Sequence, residues 1–194
     1  MLRRKQSDFK PDSQKISLPK LFHTTQLQRL RLAKWGLYIL TLILLLTVQD
    51  VILSRFRFFG ATTDLAVCGI LLMTVIEGVD VGSLFVLIAS TLYYFSGSAP
   101  GPYCIALLSF IGIAATLIRQ AWLRRTKLSI VFCAGAALTL YELGLYIVGM
   151  ALGLTRWDRI FSFLLTAAYS WAVMIPLYSL INKIGLIGGT TWKE

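Results

Sequence analysis

Residues 60–95 decide the fold, and they read GATTDLAVCGILLMTVIEGVDVGSLFVLIASTLYYF. Two apolar runs, 60–76 and 81–95, flank the short polar sequence EGVD at 77–80. A single helix through both runs would bury two carboxylates in the middle of a bilayer, at a cost of roughly several kcal/mol. Two short spans joined by almost nothing avoid that cost, so the stretch predicts a tight antiparallel helical hairpin.

Four further apolar runs lie outside the hairpin, and they approach the roughly 20 residues that a helix needs to cross a bilayer. They are residues 35–54, 103–118, 128–154 and 160–181. Hydrophobic residues make up 57% of the chain and charged residues only 14%, whereas soluble domains carry about 25% charged residues. We therefore predict an all-α polytopic membrane protein in which residues 35–185 form one bundle of six transmembrane helices.

The distribution of Lys and Arg orients these six spans. A leader at residues 1–34 holds nine of the 19 Lys and Arg residues, the 119–127 loop holds four and the C-terminal end two. The remaining four would lie outside the cell: Arg55, Arg57, Arg156 and Arg159. Because Lys and Arg concentrate in cytoplasmic segments, we predict that the leader, the short tail at 186–194 and both termini are cytoplasmic.

The leader carries much of the net charge of +10. Basic residues next to a first span attract anionic lipid, so the charge predicts contact with lipid and no nucleic-acid partner. Pro11 and Pro19 indicate that the start of the leader is extended or disordered. Residues 24–34 (TTQLQRLRLAK) predict either a short helix on the inner membrane surface or a solvated linker.

No residue pattern points to catalysis or to metal binding. The single histidine, His23, lies in the leader, so no span offers a histidine base for a nucleophilic serine. Cys68, Cys104 and Cys133 each stand alone in an apolar run and form neither a zinc-site nor a disulfide pattern. Walker-type and GxGxxG loops do not occur in the sequence. We therefore predict a non-enzymatic protein without a catalytic, cofactor or metal site.

Polar residues within or beside the spans are few. Glu142 falls near the centre of the fifth span, where a costly carboxylate is by default a functional candidate. The alternative is a structural glutamate that neighbouring hydroxyl groups hold by hydrogen bonds. Gln49 can form a hydrogen bond across helices, and Asp50 and Asp64 are interpreted as solvated residues near the outer boundary. The spans contain too few other polar residues to predict a polar pocket.

Short motifs recur at characteristic places along the spans. They are Val48-Gln49, Gly60, Glu77-Gly78 with Gly82 and Phe85, Tyr141-Glu142, and Ile175-Pro176-Leu177-Tyr178. Through these motifs residues 34–185 resemble the family of the bacterial rod shape-determining protein MreD. The chain departs from that pattern at Val86 and Ser90, where the family has glycines, and at Tyr94, where it has an aspartate.

The resemblance implies a non-enzymatic scaffold of the cell-elongation machinery in the bacterial cytoplasmic (inner) membrane. Its partners would be an MreC-like membrane-anchored protein and, indirectly, the actin-like MreB filament and the wall synthases. Since the outer loops are short, we expect partners to bind helix faces within the bilayer or the basic leader. The candidate interface or structural polar residues are Gln49, Glu77, Gly78, Gly82, Tyr141 and Glu142.

A second function stays open, because the same family looks distantly similar to the substrate-binding membrane components of energy-coupling vitamin transporters. This function predicts a pocket near the outer leaflet, between the 55–64 loop and the 96–102 turn. A set of polar residues that face one cavity would favour it.

Overall fold

The computed structural model describes residues 26–53, 61–122 and 126–187, and the regular structure in these ranges is helical. The six α-helices are α1 (Gln26–Val51), α2 (Leu65–Glu77), α3 (Val79–Phe95), α4 (Tyr103–Trp122), α5 (Lys127–Ala151) and α6 (Ile160–Gly185), with a 3-10 turn at Trp157–Arg159 before α6. The prediction of an all-α protein is confirmed for these residues. The predictions made for residues 1–25, for Arg55, Arg57 and Gly60, and for residues 188–194 lie outside the described ranges.

Four helices, α1, α4, α5 and α6, are long and apolar enough to cross a membrane. The other two are apolar but shorter, with 13 residues in α2 and 17 in α3. At a rise of 1.5 Å per residue they extend about 20 and 26 Å, less than the roughly 30 Å hydrocarbon core. The multi-pass character of the chain therefore rests on the four long helices.

The short helix α2 is the centre of the bundle. It contacts all five other helices, and each of its 13 residues is buried. A helix that is apolar all round belongs in such a position. Because protein surrounds α2 on every side, its length does not have to match the thickness of a lipid layer.

The other helices pack around α2 in a partial ring. Contacts run from α3 to α4, from α4 to α5, from α5 to α6 and from α6 to α1. Aromatic side chains link α1 and α3, since the ring of Phe85 lies 5.8 Å from that of Trp35 and 6.0 Å from that of Tyr38. The helices α1 and α3 are therefore neighbours at the two ends of the partial ring.

The predicted hairpin is formed by α2 and α3, and Gly78 is the residue at which it turns. Gly78 has φ 88° and ψ −174°, a conformation that glycine adopts without steric penalty. Beyond the turn, Gly82 lies so close to Thr74 that an added Cβ would collide with the carbonyl oxygen of Thr74. At the far end the Tyr93 hydroxyl donates to Asp64 Oδ2 at 3.2 Å. These two contacts confirm the antiparallel arrangement.

At the turn, which we call the hairpin end of the bundle, Glu77 anchors α2 to α1. Its Oε1 atom lies 2.6 Å from Lys34 Nζ and accepts a hydrogen bond of 2.6 Å from the Tyr38 hydroxyl. Lys34 and Glu77 are each only 4% exposed. Lys34 was predicted to lie in the leader, but α1 begins at Gln26 and includes Lys34. Residues 26–34 are therefore part of the first helix and form neither a separate surface helix nor a linker.

Arg119, a residue of α4, forms a hydrogen bond with the same end of α2. It is 3% exposed, and its guanidinium donates to the carbonyl oxygen of Val75 in the last turn of α2. The last four carbonyl groups of a helix lack partners within the helix, and cations near them are favourable. Arg119 was expected in a solvated basic loop; it is a buried residue of α4 because the short α2 ends inside the bundle.

Candidate functional site

A polar cavity of about 270 Å³ lies at the opposite end of the hairpin, which we call the cavity end. It is formed where α1 and α3 end, where α2 and α6 begin, and beside the second half of α5. Its polar lining residues are Gln49, Thr62, Asp64, Tyr93, Ser98, Glu142, Arg159, Ser162 and Thr166.

Asp64 is the N-cap of α2 and takes part in three hydrogen bonds. Its Oδ1 accepts a long hydrogen bond of 3.5 Å from the Val67 amide, and its Oδ2 accepts one from the Tyr93 hydroxyl. Its own amide donates to Ser170 Oγ at 3.0 Å. An N-cap carboxylate satisfies an amide that the helix leaves unpaired. The solvated role expected for Asp64 is therefore wrong, because the side chain is buried and fixes the start of α2.

Gln49 supports the same helix start from α1. Its Oε1 accepts a hydrogen bond of 2.7 Å from the amide of Ala66. This amide belongs to the first turn of α2 and has no carbonyl partner within the helix. The prediction that Gln49 forms a hydrogen bond across helices is confirmed, and the residue also lines the cavity.

Glu142 is the deepest charged candidate. It lies nine residues before the end of α5, which is about 14 Å along the helix axis, and it is 4% exposed. Among the described residues its carboxylate forms no hydrogen bond or ion pair, although it lines the cavity. The hydroxyl partners expected of a structural glutamate are therefore not found in this part of the chain, and an unpaired buried carboxylate carries a large desolvation cost.

Arg159 contributes the positive charge of the cavity. It precedes α6, is exposed to solvent and lines the same cavity as Glu142. In the ranges that the structure covers, no ion pair within 4.0 Å joins the two side chains. The cavity thus presents a buried carboxylate and an exposed guanidinium that are held apart.

A second polar cavity of about 280 Å³ adjoins the first and shares Gln49, Thr62 and Ser98 with it. Asp50 lines this second cavity, and its Oδ1 accepts a hydrogen bond of 2.6 Å from the Ser98 hydroxyl. The shared residues make the two cavities one connected polar region at the cavity end.

The predicted site residues divide between the two ends of the bundle. Gln49 and Glu142 meet in the cavity, whereas Glu77, Gly78 and Gly82 build the turn at the hairpin end. The remaining candidate, Tyr141, is fully buried and directly precedes Glu142 in the sequence; in the part of the chain that the structure describes, no geometrically well-formed hydrogen bond reaches its hydroxyl.

The expectation that polar residues are too few for a pocket is wrong. Five of the lining residues are not conspicuous within any single apolar run, and sequence reasoning did not find them: Thr62, Tyr93, Ser98, Ser162 and Thr166. Most of these residues lie in loops or within two turns of a helix end. Because successive helices run in opposite directions, these particular ends lie on one side of the bundle, and this alternation is the signal that could have found them.

The described residues contain no group of three His, Cys, Asp or Glu side chains arranged to hold a metal ion. Comparisons with protein-family models, curated proteins and solved structures find no match to this chain. The interpretation of the site therefore rests on its geometry.

Proposed function

We propose that the chain is a six-span, non-enzymatic scaffold of the machinery that elongates rod-shaped bacterial cells, as its resemblance to the MreD family implies. In this proposal it lies in the cytoplasmic membrane with both termini in the cytoplasm. The single observation that supports a scaffold best is an apolar groove between α1 and α3, which offers a docking surface within the bilayer.

The groove has a volume of about 330 Å³, and all of its lining residues are apolar. Leu42, Phe85 and Ala89 form a floor that is less than 10% exposed. Ile88 and Leu84 stand on the wall that α3 contributes, with exposed fractions of 52% and 64%. The groove therefore has a fixed floor between two exposed helix faces.

Such a surface suits the transmembrane helix of an MreC-like partner. In lipid there is no hydrophobic driving force between helices, so association depends on close packing and favours grooves with small residues. Ala89 in the floor permits such an approach. Partners of this kind would reach MreB and the wall synthases indirectly, and the leader would add contact with anionic lipid.

The six-span topology is supported by the hairpin and by the charges. The turn at Gly78 separates α2 from α3, so the two apolar helices are distinct, and α2 is shielded by its neighbours. Lys34 and Arg119 both lie at the hairpin end. With this end cytoplasmic, the positive-inside rule is obeyed, and the polar cavity faces the outside of the cell.

Site-specific photocrosslinking in cells tests the scaffold. A photoreactive amino acid at Ile88 or Leu84, in the groove, should crosslink to the MreC-like protein. The matched controls are Leu140 on α5 and Phe110 on α4, which are 57% and 75% exposed on other faces. Equal crosslinking at all four positions, or none at the two groove positions, would reject the groove as the docking surface.

A second candidate function is small-molecule binding from the outer side, as in the membrane components of vitamin transporters. One specific observation favours it: polar residues of four helices and of three connecting segments face one cavity. Native mass spectrometry of the purified protein tests this function directly, since a bound small molecule should be released on activation in the gas phase.

A further inference from the structure

We infer that the polar cavity takes a small zwitterion, with an ammonium group against Glu142 and an anionic group at Arg159. The inference rests on the second candidate function and deepens it by naming the chemical class of the ligand. It needs no contribution from the groove between α1 and α3.

The ammonium end follows from the unpaired state of Glu142. The side chain is 96% removed from solvent, lines the cavity and has no partner among the described residues. Burial of an unpaired carboxylate is costly, whereas a charge-assisted hydrogen bond with an ammonium donor offsets that cost. Asp64 adds a second carboxylate to the lining, and the hydroxyl oxygens of Ser162 and Thr166 can accept further hydrogen bonds.

The anionic end follows from Arg159. A guanidinium presents a planar fork of donors that matches a carboxylate or phosphate. Arg159 lies at the exposed edge of the cavity and is not ion-paired with Glu142, although both line it. A ligand with one positive and one negative group would compensate both charges at once, whereas a simple cation or anion would compensate only one.

The size of the cavity limits the ligand. Its volume is about 270 Å³. Pockets for drug-sized ligands begin at about 300 Å³. The cavity that holds both charges therefore suits a ligand of amino-acid size, and a nucleotide or a peptide of several residues would extend beyond it into the adjoining cavity.

Thermal shift measurements on the purified full chain in lipid nanodiscs test the inference. The first probe is a set of pools of the common amino acids together with phosphoethanolamine. Two control sets of the amino acids with uncharged side chains carry one charge each: the N-acetylated acids lack the ammonium group, and the decarboxylated amines lack the carboxylate. For phosphoethanolamine the corresponding controls are its N-acetylated form and ethanolamine. We expect at least one zwitterion to raise Tm, with at least tenfold weaker binding of its two control counterparts.

Variants then assign the two charges. Glu142→Gln and Arg159→Gln should each weaken binding of the active zwitterion at least tenfold. Arg156→Gln is the matched control, because Arg156 is exposed near Arg159 but does not line the cavity. If Glu142→Gln fails to fold, the exposed Arg159 variant still decides the question.

The outcomes separate the ligand class from the function. A bound molecule that carries a single charge or none, or a zwitterion whose affinity is unchanged in both variants, would overturn the inference while small-molecule binding stands. If no probe shifts Tm and native mass spectrometry detects no bound molecule, both the inference and the second candidate function are overturned.

Discussion

The pair formed by Lys34 and Glu77 should stabilise the bundle, and Lys34→Met tests this. The two charged groups are 2.6 Å apart, and their side chains are only 5% and 1% exposed. Removal of one partner from a buried ion pair typically costs about 3–5 kcal/mol. Because Tyr38 still donates to Glu77 at 2.6 Å, we expect a loss near the lower limit, about 3 kcal/mol.

The assay is equilibrium unfolding of detergent-solubilised protein, followed by tryptophan fluorescence. Lys127→Met is the matched control, since Lys127 is exposed at the start of α5 and should change the free energy of unfolding by less than about 0.5 kcal/mol. The double variant Lys34→Met/Glu77→Gln removes both charges and should be more stable than Lys34→Met alone. If Lys34→Met is as stable as wild type, or if the double variant is destabilised by the full sum of its two single variants, the ion pair does not stabilise the bundle.

Two further substitutions probe the hairpin. Gly82→Ala should destabilise the protein by about 1–3 kcal/mol, because the added Cβ collides with the Thr74 carbonyl; Gly36→Ala, which meets nothing within 4 Å, should have no such effect in the same unfolding assay. Asp64→Ala should cost about 0.5–2 kcal/mol through loss of the α2 N-cap, measured as a lower unfolding midpoint, and an unchanged midpoint would reject the capping role.

The hairpin could be predicted from sequence because its signal is local. Two carboxylates and a glycine between two apolar runs leave few alternatives to a turn, and Gly78 adopts a backbone conformation that favours glycine. The central position of α2 could not be predicted in this way. An apolar run has the same composition whether lipid or protein surrounds it. Only the packing of the other helices distinguishes a helix that faces lipid from a helix that is buried in protein.

The charged residues show the same limit. Lys34 and Arg119 were predicted to lie among the cytoplasmic charges, yet both are buried. Their burial could not be predicted from local sequence, because their partners Glu77 and Val75 are 43 and 44 residues away. Glu142 and Gln49 were recognised as candidates because a polar side chain within an apolar run is conspicuous. Arg159 was not recognised as a candidate, because it lines the cavity only where the segment before α6 approaches α5.

The location of the two chain ends relative to the membrane distinguishes six spans from an odd number of spans. Reporters active only in the cytoplasm, or only outside it, can be fused before Met1 and after Glu194 and expressed in whole cells. Six spans place both fusions on the cytoplasmic side. Activity of the two ends on different sides would mean an odd number of crossings and would contradict the topology on which the outward-facing cavity depends.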